Sequence, residues 1–585
     1  MSNSLCTACK VAIVCGAFAL FAVPASAQQI TAAHLLPKST VLYTEIPEPP
    51  KLIELLLKHP LRTKIEQVQA YRKAIKSPEF LKFQLGVGLF EGHMGMPWNE
   101  ALAAIGAGGI YFAFDAKSQG AAVLIKAKDL DTLINLRKAV FQAIQVASQG
   151  NPDPIKKGEY RGLTAYEINK VKITALDSWL LITNKDDLAK QIVDQHLDSG
   201  SETLAKQEDF IAAVATKPES FTAWSYTDIA TIRDAGVMKD LYSGRTDNIV
   251  AEMLIGGLVS NLKHTRYSSA VLSIDNTQVQ LSVRTPHTAE WASDREYYFG
   301  SDHSGQAQEP IVLLDSIFTL STYRDLSQMW LRAGDLMTDK ANDELAQADS
   351  QLSTFFSGKD FGEDILGSLF PEIQIVVTRQ NPEDFVVKPA IKLPAFAIVA
   401  RMREPEATVP QFRRVFQSFI GFINVLGAMN GQPQLDLAME STDKMKLIAA
   451  TYVPESEDKD SQAKINFNFS PSLVFAGDRM VLASSRQLAT DLVEAPAPTA
   501  IKIDSSGPKP NTVALLEVPM MREILADNRA QLIAQNMLDK GHSQEAAEQE
   551  IEVLMAIIDL FQSGDITLFT TADSLRLEGT LQVSE

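Results

Sequence analysis

The sequence predicts an α+β protein made of two similar halves that arose by internal duplication, each a mixed or antiparallel sheet covered by helices. Three observations support this fold class. Three windows of the first half recur in the second half in the same order, paired strand-like runs alternate with helical stretches, and 45% of the residues are apolar, as in ordinary globular chains. The 585 residues are enough for several domains.

The recurring windows are strand-like runs whose separation grows along the chain. They match residues 110–114 with 373–377 at a shift of 263, 123–129 with 398–404 at a shift of 275, and 173–183 with 473–483 at a shift of 300. A growing shift is expected when one copy has longer polar loops, such as the acidic loop at 455–460. A shorter likeness joins 40–47 and 512–519, where a β-branched strand ends at proline and leads into a helix.

The N-terminal segment has the three parts of a secretory signal peptide. Lys10 supplies the positive charge, residues 11–23 form an apolar run, and small residues lead up to Ala27. The run of 13 residues is shorter than the ~20 that span a bilayer. We therefore expect cleavage between Ala27 and Gln28 and a mature protein outside the cytoplasm, either periplasmic or secreted.

All three cysteines, Cys6, Cys9 and Cys15, lie inside the predicted signal peptide 1–27. The predicted mature chain is therefore free of cysteine. It has no disulfide, no thiolate nucleophile and no thiolate metal site. Such a protein has to be stabilised by its hydrophobic core, which a chain of this length can supply.

The predicted mature chain divides into a first half at 28–289, a linker at 290–309 and a second half at 310–585. The linker is assigned from its polar composition, rich in Gly, Ser, His and Gln. The uncharged stretch 415–435 is interrupted by Asn and Gln side chains and contains Pro433. We expect a buried core helix there, and no stable transmembrane span after cleavage.

Charge and motifs exclude several function classes. The net charge of −18 argues against a nucleic-acid partner, because binding to a phosphate backbone requires clustered Lys and Arg. The eight histidines are not spaced as helical metal ligands, and no nucleophile elbow occurs. The run 360–362 spells Asp-Phe-Gly, but with Glu363 it is better interpreted as a helix start. We assign no catalytic residue, no metal and no cofactor.

One feature recurs in both halves and has the chemistry of an anion site. Lys126 and Lys128 are two residues apart on a predicted strand, so their side chains share a face, and Arg401 and Arg403 stand at the matched positions. We expect the apolar residues between them to face the core and the cations to face solvent or a cleft. The alternative is a solvated face with salt bridges to neighbouring carboxylates.

The N-terminal leader, the run LLPKSTVLY at 35–43, the strand–helix repeats and the size resemble a family of large exported bacterial proteins of unknown function, of planctomycete type. The resemblance covers most of the chain and is structural. It implies an exported α+β protein and assigns no catalytic residue.

Three functions stay open at this point. The first is a non-catalytic binding or scaffold protein of the envelope or periplasm, whose partner is an envelope component or a small ligand. The second is a hydrolase-type enzyme whose carboxylates are brought together by the fold, with Glu45 and Glu517 as the first candidates. The third is a carrier that holds an apolar ligand between helices and sheet.

Overall fold

The computed structural model describes residues 30–584 except 68, 148–154, 169, 238, 243, 288–294, 382, 384, 386, 455–464, 499–507 and 572. The predicted signal peptide and its cleavage site between Ala27 and Gln28 lie outside the described residues. The acidic loop at 455–460 lies outside them as well.

In the part of the chain that the structure describes, twenty strands form one sheet, and the ladders between them are antiparallel. The strands of the first half are β1 Thr40–Ile46, β2 Ile110–Asp115, β3 Gly120–Lys126, β4 Lys156–Tyr160, β5 Leu163–Ile168, β6 Val171–Leu176, β7 Trp179–Thr183, β8 Ala223–Asp228, β9 Tyr267–Ile274 and β10 Gln278–Pro286. Those of the second half are β11 Ser316–Tyr323, β12 Glu372–Thr378, β13 Ala395–Arg401, β14 Leu435–Ser441, β15 Lys446–Tyr452, β16 Ser472–Ala476, β17 Arg479–Ala483, β18 Pro510–Glu517, β19 Phe561–Thr570 and β20 Ser574–Val583.

The helices connect and cover these strands. In the first half they are α1 Ala32–Leu35, α2 Pro49–Lys58, α3 Leu61–Gln67, α4 Gln69–Ala74, α5 Pro78–Met94, α6 Trp98–Ile105, α7 Leu130–Ala147, α8 Asp186–Asp198, α9 Glu208–Ala215, α10 Ile229–Asp234, α11 Lys239–Tyr242 and α12 Ile249–His264. From there on they are α13 Glu296–Phe299, α14 Leu326–Leu331, α15 Ala333–Leu336, α16 Asp339–Phe355, α17 Pro405–Met429, α18 Arg486–Glu494, α19 Val518–Asp527, α20 Arg529–Lys540 and α21 Gln544–Ile558.

The strands of the two halves pair in the same order. In the first half the order is β4-β5-β6-β7-β3-β2-β1-β8-β9-β10. In the second half it is β14-β15-β16-β17-β13-β12-β11-β18-β19-β20. The last strand of each half, β10 and β20, pair with each other and join the halves into one sheet.

The registers reproduce the shifts found in the sequence. Phe112 pairs with Val123 in the first half, and Ile375 pairs with Ile398 in the second, at shifts of 263 and 275. Val123 also pairs with Ile182, and Ile398 with Leu482, which gives the third shift of 300. The α+β class with antiparallel sheet and covering helices is confirmed. Its origin in a duplication stays a hypothesis. The likeness between 40–47 and 512–519 does not follow this repeat, because β1 corresponds to β11 and β18 to β8.

One face of the sheet, the packed face, holds a closed hydrophobic core in each half. In the first half α1, α8 and α9 cover it, and Leu188 of α8 packs near the fully buried Leu124 and Leu181. In the second half α18 covers Val399 and Val481 in the same way. Burying side chains of this size is the main stabilising contribution to each half.

The four central strands β9, β10, β20 and β19 differ, because apart from Tyr267, Val271 and Phe569 their apolar side chains lie on the opposite face, which we call the open face. Alternation places polar residues on the packed-face side, among them Gln280, Arg284, Arg576 and Glu578. It places apolar residues on the open face, among them Leu272, Leu281, Leu577 and Ile566. The two cores of the packed face are therefore separated by a polar strip.

The described part of the predicted linker at 290–309 is not a solvated tether. Tyr297, Tyr298 and Phe299 are fully buried. Arg295 is also buried and pairs through Nε with Oε1 of Glu252 at 2.6 Å. The prediction from sequence missed this aromatic run because the segment as a whole is polar. The predicted boundaries of the halves stay a prediction.

Candidate functional site

The open face carries an apolar row that crosses twelve strands. Its members are directly paired neighbours, each on the next strand of the sheet: Leu272, Leu281, Gly579, Ile566, Ala514, Leu320, Ile375, Ile398, Leu482, Leu473, Ile448 and Met439. Every member is apolar or glycine. At about 4.8 Å per strand the row is roughly 50 Å long, measured along the sheet.

Much of the apolar row is uncovered. Leu281 is 45% exposed, Ile566 51%, Ile398 44% and Leu482 44%. Scattered exposed apolar residues are normal on protein surfaces, but a contiguous apolar surface generally marks a binding site. Ile398 and Leu482 are directly paired, and Leu281 and Ile566 both pair with Gly579, so the exposed members form two apolar patches of the row on either side of the buried Leu320.

Helices cover the open face in three separate places. Helices α5, α6 and α7 pack over Ile125 near one end of the sheet, and α17 packs over Ile448 and Leu473 near the other. Helices α12 to α16 pack over the central strands at Leu568 and Leu577. Ile448 and Leu473 of the apolar row lie under α17, and the rest of the row runs between these groups, so the helices border a groove whose floor is the sheet.

Two of the bordering helices are themselves apolar on their outer sides. In α17 only one side is buried, through Phe416 and Ile420, while Phe419 and Val425 are exposed. The predicted buried core helix at 415–435 is thus a one-sided helix. Helix α5 likewise exposes Phe83. Among the described residues, no helix combines the length and apolarity that a membrane crossing requires.

A small cavity opens from the middle of the groove. It has a volume of about 110 Å³. Its walls are apolar, and Leu320, Ile375 and Ile398 belong both to them and to the apolar row. Its polar end is formed by Thr322, Thr512 and Arg324, and α12 closes it with Met253 and Leu254. We call it the Arg324 cavity.

Arg324 follows β11 and is 2% exposed. Its Nε donates to the carbonyl oxygen of Met253 at 2.6 Å, and its Nη1 donates to Tyr323 O at 2.5 Å and to Asn511 Oδ1 at 2.9 Å. Its Nη2 donates to Thr512 Oγ1 at 3.3 Å. A guanidinium has five N–H groups, so one N–H of Nη2 lacks an acceptor in the described part of the chain.

The charge of Arg324 is not neutralised by a carboxylate of the described residues. Its guanidinium carbon lies 3.3 Å from the centre of the Tyr298 ring, a cation–π contact. Burial lowers the pKa of Arg324 from its ordinary value, because the charged form is desolvated. A buried cation without a counter-ion is costly, and an anion in the cavity would reduce that cost.

The predicted anion-binding cations occupy corresponding places in the two halves but do not form one site. Lys126 and Arg401 lie eleven strand spacings apart, about 50 Å along the sheet. They lie on the packed face, alongside Leu124 and Val399, so the prediction that the cations face away from the core is wrong for this pair. Both faces of β3 and β13 are apolar, and alternation alone could not identify the buried one.

The surroundings of these cations differ between the halves. Lys126 Nζ lies 5.3 Å from the centre of the Trp179 ring. Arg401 pairs with Asp478 at 2.9 Å. Arg401 and Arg403 each stack at 4.7 Å from the centre of the Phe370 ring, while Lys128 is exposed just beyond its strand. Arg401 is therefore already paired, and an anion site at these four residues stays a prediction.

The two candidate catalytic carboxylates are far apart. Glu45 lies on β1 and Glu517 on β18, six strand spacings or about 29 Å along the sheet. Glu45 pairs with Lys217 at 2.5 Å and accepts a hydrogen bond from the Tyr43 hydroxyl at 2.8 Å. The fold does not bring Glu45 and Glu517 together. In the described part of the chain, no group of three or more metal-ligating side chains converges either.

None of the protein-family models and none of the curated proteins matches the chain. Among solved structures, crystal forms IV, III and I of TP0453 show a likeness at 10%, 10% and 8% identity. Each match covers 44% of this chain and 81%, 79% and 80% of the other, with a TM-score of 0.24. A score this low carries no argument about fold or function.

Proposed function

We propose that this protein is an exported, non-catalytic binding protein that holds an apolar ligand in the groove on the open face of its sheet. The observation that carries the proposal is the apolar row, whose members Leu281, Ile566, Ile398 and Leu482 are about half exposed. Ligand sites are generally concave, mostly apolar and bordered by helices or loops. A ligand in the groove would remove this apolar surface from water.

The central strands favour this proposal most directly. On β10, Leu281 points to the open face between Gln280 and Ser282, which point to the polar strip. A strand with one apolar face normally buries that face against a core. Here the face is apolar across four strands but only partly covered, so a second molecule is the natural cover.

The test compares two neighbours on β19 that point to opposite faces. Ile566→Asp places a charge in the groove, and Thr567→Asp places the same charge on the polar strip. We expect Ile566→Asp to weaken binding of the neutral probe Nile red about tenfold or more, because the carboxylate would be desolvated against the ligand. Thr567→Asp should bind the probe like the unaltered protein.

Equal probe binding by both variants would contradict the proposal. Organic extraction of the protein purified from its native host, followed by mass spectrometry, gives an independent readout. The expected result is a stoichiometric apolar compound that is lost in Ile566→Asp.

A further inference from the structure

We infer that the ligand is a long-chain carboxylate, such as a free fatty acid, whose head binds Arg324 and whose chain lies along the apolar row. This inference rests on the proposed function and adds the chemistry of the head group. Three properties of the Arg324 cavity support it: its charge, its size and its connection to the row.

The charge of the cavity matches a single negative charge. Arg324 is the one cation among the described residues that line the cavity, and no carboxylate of the described residues neutralises it. A carboxylate carries one charge, whereas a phosphate monoester carries about 1.5 to 2 near neutral pH. The remaining N–H of Nη2 supplies a charge-assisted donor for a carboxylate at the polar end, while the hydroxyls of Thr322 and Thr512 are bonded to each other and to Asn511 Oδ1.

The size of the cavity fits a head group but not a whole ligand. A volume of about 110 Å³ corresponds to three or four water-sized groups, enough for a carboxylate and the first methylenes. A longer chain has to leave the cavity. Ile375 and Ile398 lie on both the cavity wall and the apolar row, so the chain leaves over Ile398 into the groove.

The competing explanation is that Arg324 is only a structural clamp. Its hydrogen bonds do join α12, β11 and β18 through Met253, Tyr323 and Thr512. A clamp, however, does not distinguish an acid from the alcohol of the same chain. The two explanations therefore differ in a quantity that can be measured on the unaltered protein.

The experiment is a calorimetric titration of the delipidated protein with oleic acid and with oleyl alcohol. We expect the acid to bind at least about tenfold more tightly, as a charge-assisted hydrogen bond contributes about 1.5–3 kcal/mol. Arg324→Met should abolish this preference, and Arg324→Lys, which keeps the charge, should retain most of it.

A matched control is Arg479→Met. Arg479 is another largely buried arginine of the second half, and it donates to the carbonyl oxygens of Leu492, Ala495 and Pro496 away from the groove. It should lower stability while keeping the preference for the acid. Thermal melting of each variant separates loss of fold from loss of binding.

The outcomes are distinguishable. Equal binding of acid and alcohol by the unaltered protein, or an acid preference that survives in a folded Arg324→Met, overturns the carboxylate inference and leaves the apolar groove. Tighter binding of lysophosphatidic acid than of oleic acid overturns the choice of a single charge. Binding of none of these compounds overturns the proposed function as well.

Discussion

Outside the four central strands, the two faces of the sheet are built from the same strands and are similarly apolar, yet only one is closed. On β17 Val481 points to the packed face and is 0% exposed, while its neighbour Leu482 points to the open face and is 44% exposed. Val399 and Ile398 on β13 differ in the same way. The difference lies in the cover, since α18 lies directly over the first face and α17 reaches only part of the second. An apolar sequence therefore indicates that a surface will be covered, but it does not indicate whether a helix of the same chain or another molecule covers it.

The largest expected effect is on the free energy of unfolding, when leucine side chains on corresponding strands but opposite faces are truncated to alanine. Leu181→Ala on β7 removes a fully buried side chain from the packed face, and Leu482→Ala on β17 removes a half-exposed one from the open face. We expect the first to lower the free energy of unfolding by about 2–5 kcal/mol and the second by about 1 kcal/mol or less. Chemical denaturation of both variants without ligand measures this. Equal losses would mean that the open face is a closed core.

A second comparison uses one glycine from each face. A Cβ at Gly579, on the open face of β20, would lie 3.7 Å from Asp565 O, an ordinary contact. A Cβ at Gly120, at the start of β3, would lie 2.9 Å from Lys185 Cγ and 3.0 Å from Leu188 Cδ2. Gly579→Ala should therefore raise the free energy of unfolding by about 0.5–1 kcal/mol, and Gly120→Ala should lower it. The reverse order would show that the groove is more crowded than the packed face.

The smallest effect concerns the polar strip. Burial raises the pKa of Asp565 above its ordinary value, although a hydrogen bond with Thr580 opposes the shift. The folded state then holds the proton more tightly, so the associated stability is present below about pH 4 and is lost as the pH rises through the raised pKa. Asp565→Asn should be more stable than the unaltered protein at pH 7, by less than about 1 kcal/mol because the group is only partly buried and solvent screens it, and equal to it at pH 3.5.

The pKa of Asp573 is shifted in the opposite direction, so Asp573 serves as the control for that experiment. A hydrogen bond from Thr571 lowers the pKa of Asp573. Its contribution to stability is therefore present at neutral pH and is lost as the pH falls through the lowered pKa. Asp573→Asn should be less stable than the unaltered protein at pH 7. Denaturation curves in which both variants shift in the same direction would contradict the assignment.

The sequence predicted the fold class and the three shifts because strand order and register depend on local apolar runs that recur. It did not predict which face is buried, because windows such as 121–125 are apolar at every position and alternation has no contrast there. Nor did it predict Arg324, a single arginine after a strand, whose burial depends on Met253 and Asn511, far away in sequence. The sequence wrongly suggested Glu45 and Glu517 as equivalent candidates, because similar sequences at two strand ends do not determine where those strands lie in the sheet.

The ladder that joins the halves has a consequence for the order of folding. Nine residue pairs link β10 to β20, and the paired residues lie 288 to 304 residues apart in the chain. Contacts this distant in sequence form late, because the entropy of closing such a long loop is lost before the ladder contributes any stability. Until they form, each half-sheet presents an unpaired edge strand to solvent. Two incompletely folded copies can pair these edges with each other, so refolding at high protein concentration is expected to give strand-exchanged dimers, and dilution to suppress them.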